Sequence, residues 1–261
     1  MPTNTPKESV QEDQLAWVER QRAFYNTRPH QHLQYAPQSV YAKHLVQHVV
    51  QAAQLPQRSQ VLEIGCGAGR FTVDLLQRLD GKLVALDLSE NLLRGLRRQL
   101  EQLPVEGRAK WELVMGDVYH LDTVFGEARF DAVVGFFFLH HLDDLTRAIQ
   151  ELRKLLRPNG QMLFVEPNRR NPLFLLQVLC CPDMSWSEEK GMFTLGQARI
   201  RTGFVSAGMS TPTIQTFGWF PPQLLDRWRW TMRVEEWVEQ QRLFRPILPF
   251  RIIRSQRIDR E

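Results

Sequence analysis

The chain has little of what marks several large protein classes. Three cysteines in 261 residues, Cys66, Cys180 and Cys181, form no even set. That excludes a disulfide framework and fits a reducing compartment. Cys180 and Cys181 are adjacent, and no second Cys/His pair stands at zinc spacing, so no metal site is expected. The longest nearly apolar run, Pro172 to Cys181, is broken by Gln177. It falls far short of the roughly 20 residues that span a bilayer. The opening MPTNTPKESVQEDQ has no apolar segment of the kind a secretory signal carries, so a cytoplasmic location is expected, with a membrane-peripheral place as the alternative. A net charge of only +4 and no dense Lys/Arg tract argue against a nucleic-acid partner. There is no internal repeat and no low-complexity run.

What is present is an ordinary globular composition, 43% hydrophobic, long enough for one α/β domain with additions. Residues 1–59 read as an amino-terminal helical cap, with helices expected over Gln11–Tyr25 and Pro37–Ala53. From residue 60 onward short β-rich runs alternate with amphipathic helices. Strands are expected at 61–64, 83–86, 111–115, 132–138 and 161–165, and helices at 69–79, 90–102 and 143–156. In the last of these helices Leu145, Ala148, Ile149, Leu152, Leu155 and Leu156 share one face. The strands are continuously apolar, as parallel strands buried on both faces are. Alternation of this kind predicts a doubly wound Rossmann-like sheet over 60–261. A helix near 195–207, a strand at 213–217, a helix over 223–244 and a last strand at 250–255 complete the pattern.

Val61-Leu62-Glu63-Ile64-Gly65-Cys66-Gly67-Ala68-Gly69 carries the chemistry. A buried strand runs into a glycine-rich turn and then a helix, and the glycines let a ligand approach the backbone closely. The dinucleotide fingerprint fails here, because Arg70 stands where Gly or Ala is needed. Glu63 repels a pyrophosphate but suits an ammonium, so the turn fits a ligand with an amino-acid moiety. Asp87, at the end of the second strand, is placed to accept from two ribose hydroxyls. Asp117, at the end of the third, is placed to accept from an adenine amine, with Leu88 and Val118 over the ring faces.

These residues resemble the class I S-adenosylmethionine (SAM)-dependent methyltransferase family, over about residues 58–167. Glu63–Gly69, Asp87, Asp117, the segment Phe130–Val134 through Leu139–Leu142, and Leu156–Gly160 stand in the family's order. The resemblance implies a seven-stranded sheet with the last strand antiparallel and a helical insertion before it, at about 219–246. It also implies SAM as cofactor, held by Glu63, Gly65, Cys66, Gly67, Gly69, Asp87, Leu88, Asp117 and Val118, with Gly135 and Phe136 beside the methionine moiety.

The acceptor side is more open. A sulfonium is already electrophilic, so a base is needed only for a hydroxyl or protonated amine. His140, His141 and Glu166 lie at the carboxyl edge of the sheet and are the catalytic candidates. Phe136-Phe137-Phe138 and the aromatics of 217–244 point to a small, partly apolar or lipid-like acceptor. Segment 222–261 has nine Arg against six acids. Its helix reads as an acceptor cover, a peripheral membrane contact, a dimer contact, or plain packing; the oligomeric state stays open. Residues 1–35 and 219–244 are expected to cover the acceptor site together. No Asn/Asp-Pro-Pro-Tyr/Phe element of base-modifying enzymes is present. The alternative function is a SAM-binding assembly or regulatory factor without turnover.

Overall fold

Seven strands form one sheet in the order β3-β2-β1-β4-β5-β7-β6. They are β1 (Gln60–Ile64), β2 (Lys82–Asp87), β3 (Lys110–Met115), β4 (Phe130–Phe136), β5 (Leu156–Pro167), β6 (Thr213–Phe217) and β7 (Phe250–Gln256). The first five pair in parallel, and β7 runs antiparallel to both β5 and β6. This is the doubly wound sheet that the strand–helix alternation predicts, with the antiparallel last strand that the family resemblance implies. The computed structural model describes residues 39–104, 110–121, 124–126, 129–172, 191–220 and 230–259, with Glu19, Ala23 and Leu225. The expected helix at 11–25, residues His30, His32 and Tyr35, and Cys180 and Cys181 lie outside them.

Helices cover both faces. On one, α1 (Val40–Ala53) packs over β5 and β7, α2 (Thr72–Gln77) lies against α1, and α3 (Glu90–Glu101) packs over β2 and β3, burying residues such as Leu45, Leu76 and Leu96. On the other, α4 (Leu145–Leu155) and α5 (Gln197–Ser206) bury Ile149, Leu152 and Phe204 against Phe164. Start signals in the sequence act as expected. Ser39, Ser89 and Asp144 each accept a backbone N–H from their helix's first turn. A sixth helix, α6 (Trp230–Gln240), sits between β6 and β7. Among the described residues no helix is long and apolar enough to cross a membrane.

Two expectations need correction. The helix after the glycine turn does not begin at residue 69. Gly69 has φ 88°, so the chain is still turning there, and α2 starts only at Thr72. Nor are all strands buried on both faces. β3 is an edge strand, half-exposed along its length, and β6 is the opposite edge.

Candidate active site

The turn after β1 is bound to the end of β2. Leu86 carbonyl accepts from Gly65 and Cys66 N–H at 2.8 and 3.1 Å. Asp87 Oδ2 accepts from Gly67 N–H at 2.8 Å, and its Oδ1 from Ser89 N–H at 2.9 Å. Gly65, Gly67 and Gly69 all have positive φ. A side chain at Gly65 would strike the Phe138 ring at 2.5 Å, and one at Gly69 would strike Leu96 at 2.3 Å. At Gly67 an added Cβ would meet nothing within 4 Å. The turn is therefore packed on two flanks and open at its middle, which is the shape of a cradle for a ligand.

Glu63 lies beneath this turn with 1% of its surface exposed. Its Oε2 has no hydrogen-bond partner among the described residues. Burial pushes the carboxyl up to about 8; the nearby Thr72 pulls it down, and the charge of Asp87 adds a smaller upward push. A sealed carboxylate with an empty acceptor, next to an open glycine, fits a ligand that brings its own ammonium. The donor set therefore suits the amino-acid end of SAM. Cys66 is buried between these acids. Desolvation first, then Asp87 and Glu63, pushes its thiol well above the usual range, so it is an inert wall rather than a nucleophile. Burial also raises Asp87 above the ordinary carboxylate range, against the pull of the backbone N–H groups of Ser89, Gly67 and Leu88.

Asp117 is held in its own turn. Its Oδ1 accepts from Tyr119 N–H at 3.0 Å, and its Oδ2 lies 3.0 Å from His120 Nδ1. Val118 is buried beside it, and Leu88 packs at the rim of the same core. These residues sit at the carboxyl ends of β2 and β3, next to Asp87.

Gly135 and Phe136, expected beside the methionine moiety, each have a packing partner in the structure. Gly135 is small because Phe164 needs the room: a Cβ there would lie 2.8 Å from that ring. Phe136 is buried and stacked on Phe71, with centroids 4.4 Å apart. The aromatic that rests on the glycine turn is Phe138, half-buried against Gly65. Phe137 adopts φ 56°, which breaks the strand's alternation and frees the next ring to turn toward the site. The sequence signal for this ring is the Phe136-Phe137-Phe138 run.

Glu166 is fully buried and is not poised toward an acceptor. Its Oε1 accepts from Phe138 and Leu139 N–H at 2.9 and 2.6 Å, and its Oε2 lies 2.6 Å from His140 Nδ1. Both oxygens hold the loop after β4, and His140, 6% exposed, is part of that clamp. His141 is half-buried, its ring 4.0 Å from that of His140. Sequence reasoning missed Arg251, which sits opposite Glu166 in the β5–β7 register. It is buried and donates to Pro167 and Leu195 carbonyls, both at 3.1 Å. Its only trace in the sequence is a cation near the start of β7, beside the apolar pair Ile252 and Ile253.

The insertion is tied to the sheet. Asn168 Nδ2 donates to Pro246 and Leu248 carbonyls at 3.0 and 2.7 Å, and Asn171 Nδ2 to Ile247 carbonyl at 2.6 Å. Glu235 of α6 accepts from Trp219 and Phe220 N–H, each at 2.9 Å. Phe137, Phe220 and Phe250 line the adjoining half-buried edge of one core. The outer face of α6 leaves Trp230 and Trp237 each 58% exposed, with Arg233 between them.

A family model described as a methyltransferase domain matches residues 61–160, which hold the glycine turn, Asp87, Asp117 and the loop after β4. A demethylmenaquinone methyltransferase of Shouchella clausii is 25% identical over 178 residues, which is 61% of this chain and 74% of that protein. A 2-phytyl-1,4-naphtoquinone methyltransferase of Trichormus variabilis is 30% identical over 112 residues, 42% of this chain and 47% of that one. The fold is also similar to that of Haemonchus contortus phosphoethanolamine N-methyltransferase 2, solved in complex with S-adenosyl-L-methionine. That likeness has a TM-score of 0.58 at 14% identity, over 91% of this chain and 60% of that chain.

Proposed function

We propose that the chain, whose residues 61–160 match a methyltransferase domain, is a class I SAM-dependent methyltransferase that methylates a lipid-like, ring-bearing acceptor of the quinol type. SAM supplies an electrophilic methyl group carried on a sulfonium. Glu63 holds the ammonium of that ligand, and Asp87 accepts from its ribose. Asp117 accepts from its adenine amine, with Leu88 and Val118 against the ring. The observation that carries the cofactor assignment is the buried, partnerless Oε2 of Glu63 at the end of β1, leading into a glycine turn that is open at Gly67.

The acceptor reading rests on the aromatics at the other end of the site. Phe138, on one core, and Phe137 and Phe220, on the other, are partly buried aromatic side chains at the end of β4 and the start of the insertion. Apolar burial is worth roughly 25 cal/mol per Å², so such a wall favours a ring- or chain-bearing molecule. The relatives named for menaquinone and phytyl-naphthoquinone methylation agree with it. Glu166 and His140 are positioning residues: they fix the loop that carries Phe138 and His141. His141 is the candidate base, able to take the proton of a quinol hydroxyl as it becomes nucleophilic. The described part of the insertion, residues 230–246, covers the acceptor side. The exposed Trp230 and Trp237, with Arg233, meet a membrane surface from which such an acceptor is drawn.

The experiment is turnover with a demethylated naphthoquinol in detergent against a small hydrophilic amine, read as S-adenosylhomocysteine by mass spectrometry. Product with the quinol and none with the amine is expected. Robust turnover of the amine alone would overturn the acceptor assignment.

A further inference from the structure

Away from the glycine turn, α1 and α6 bring two histidines and two glutamates together. His44 and His48 stand one helical turn apart on α1, which puts both rings on one face. Both aim Nε2 at the same carboxylate. His44 Nε2 lies 3.1 Å from Glu239 Oε1, and His48 Nε2 lies 3.4 Å from Glu239 Oε2. The three potential ligand atoms all fall within 4.8 Å of one another. Glu235 adds a second carboxylate, 3.5 Å from His44 Nε2.

We propose that His44, His48 and Glu239 bind a divalent transition-metal ion, zinc being the natural occupant, which pins α6 to α1. Nothing in the chemistry of methyl transfer calls for this site, and it is independent of the acceptor.

Three features separate it from an ordinary hydrogen-bonded cluster. The first is spacing. Two histidines four residues apart on a helix, with a carboxylate from another element, are the donor set of an open zinc site. Around a tetrahedral ion with bonds of about 2.0–2.1 Å, ligand atoms lie roughly 3.3 Å apart. The two histidine–carboxylate distances are already there, and the third pair of ligand atoms lies within 4.8 Å. The second feature is charge. Glu235 is fully buried and Glu239 largely so, and among the described residues neither pairs with a Lys or Arg. Two carboxyl side chains in a poorly solvated place, with only imidazoles against them, suit a dication. The third is orientation. Gly218 N–H donates to Glu239 Oε1 at 2.7 Å, and Trp219 and Phe220 N–H hold Glu235, so the carboxylates are aimed before any ion arrives. Imidazole ligands select zinc, cobalt or nickel over magnesium or calcium. The His48 side is 25% exposed, leaving an entry path and room for a water as fourth ligand.

The consequence is mechanical. The same carboxylates anchor the turn at Gly218–Phe220 that leads from β6 into the insertion. An ion there stitches the amino-terminal helix to the acceptor cover through one point.

The test uses the full chain, free of any affinity tag and stripped with EDTA, titrated with Co(II) and then Zn(II). A visible band of tetrahedral intensity at one equivalent of Co(II), bleached by one equivalent of Zn(II), is expected, with a rise in melting temperature. His48→Ala and, separately, Glu239→Gln should weaken zinc by at least about a hundredfold. The amide of Glu239→Gln still accepts from Gly218, so that variant keeps the fold. Both should melt with the wild type in EDTA. His30→Ala/His32→Ala should bind as the wild type does. Absence of a cobalt band and of one-to-one zinc heat at about 100 μM metal overturns the proposal. So does binding that survives in His48→Ala and Glu239→Gln.

Discussion

Asp87 Oδ2 accepts the backbone N–H of Gly67 at 2.8 Å, tying the end of β2 to the middle of the glycine turn. Its other oxygen accepts from Ser89 at the start of α3. The residue assigned to ribose thus also fixes the shape of the cradle. Asp87→Ala should lower SAM affinity at least about tenfold by calorimetry and cost about 1–3 kcal/mol of stability in urea, since two charge-assisted bonds are lost. Asp87→Asn keeps one acceptor oxygen and should recover part of the stability but not the affinity. Wild-type binding by Asp87→Ala would show that the ribose lies elsewhere.

The loop after β4 depends on Glu166. Glu166→Gln keeps an oxygen for Phe138 and Leu139 N–H but turns an amide toward His140 Nδ1. The expected result is a fall in kcat of tenfold or more with SAM affinity within about threefold, because the loop orients Phe138 and His141 while the glycine turn is untouched. Equal losses of cofactor affinity and kcat would mean that Glu166 acts on the cofactor side instead.

Trp230 and Trp237 lie one above the other on α6, each 58% exposed. The double variant Trp230→Ala/Trp237→Ala should leave the urea midpoint unchanged, because little packing is lost. Cosedimentation with vesicles of anionic phospholipid should drop severalfold. Unchanged cosedimentation, or none in the wild type, would contradict the membrane contact.

Folding and Glu63 are coupled in a direction that can be checked. Its folded carboxyl titrates at about 8 against an ordinary 4.5, so the folded state holds the proton more tightly. Stability from this group is present below pH 4.5 and is lost as pH rises toward 8. The ligand-free protein should therefore lose stability across that window, and Glu63→Gln should remove the slope and gain about 1–3 kcal/mol at pH 8. A denaturant series from pH 5 to 9 reads this directly; an unchanged slope in Glu63→Gln would assign it to another group.

Much of the frame was legible in the chain itself. The Leu145–Leu155 spacing announces α4, and the apolar runs announce β1, β2, β4 and β5, because periodicity is a local property. The glycine turn was readable since positive φ demands glycine. Less local features were not. Nothing in the sequence says that α2 waits until Thr72, which follows from the turn geometry of Gly69. The clamp of Glu166 on His140, and Arg251 opposite it, join segments that only the sheet brings together. Gly135 read as a place where ligand approaches, yet it serves Phe164 on the neighbouring strand. His44 and His48 stand four residues apart, but the carboxylate beside them, Glu239, lies far along the chain, so no spacing rule flags the three together.

The central claim is that Glu63 carries a proton in the empty protein and gives it up to hold the ammonium of SAM. Calorimetric titration of S-adenosylhomocysteine, which keeps that ammonium, at pH 6.5 in buffers of different ionisation enthalpy measures it. The account predicts release of close to one proton per ligand bound, and affinity rising by about tenfold per pH unit up to about pH 8. In Glu63→Gln both effects disappear and binding falls by at least about a hundredfold. Binding in Glu63→Gln equal to the wild type, with no proton released in either protein, would contradict the account.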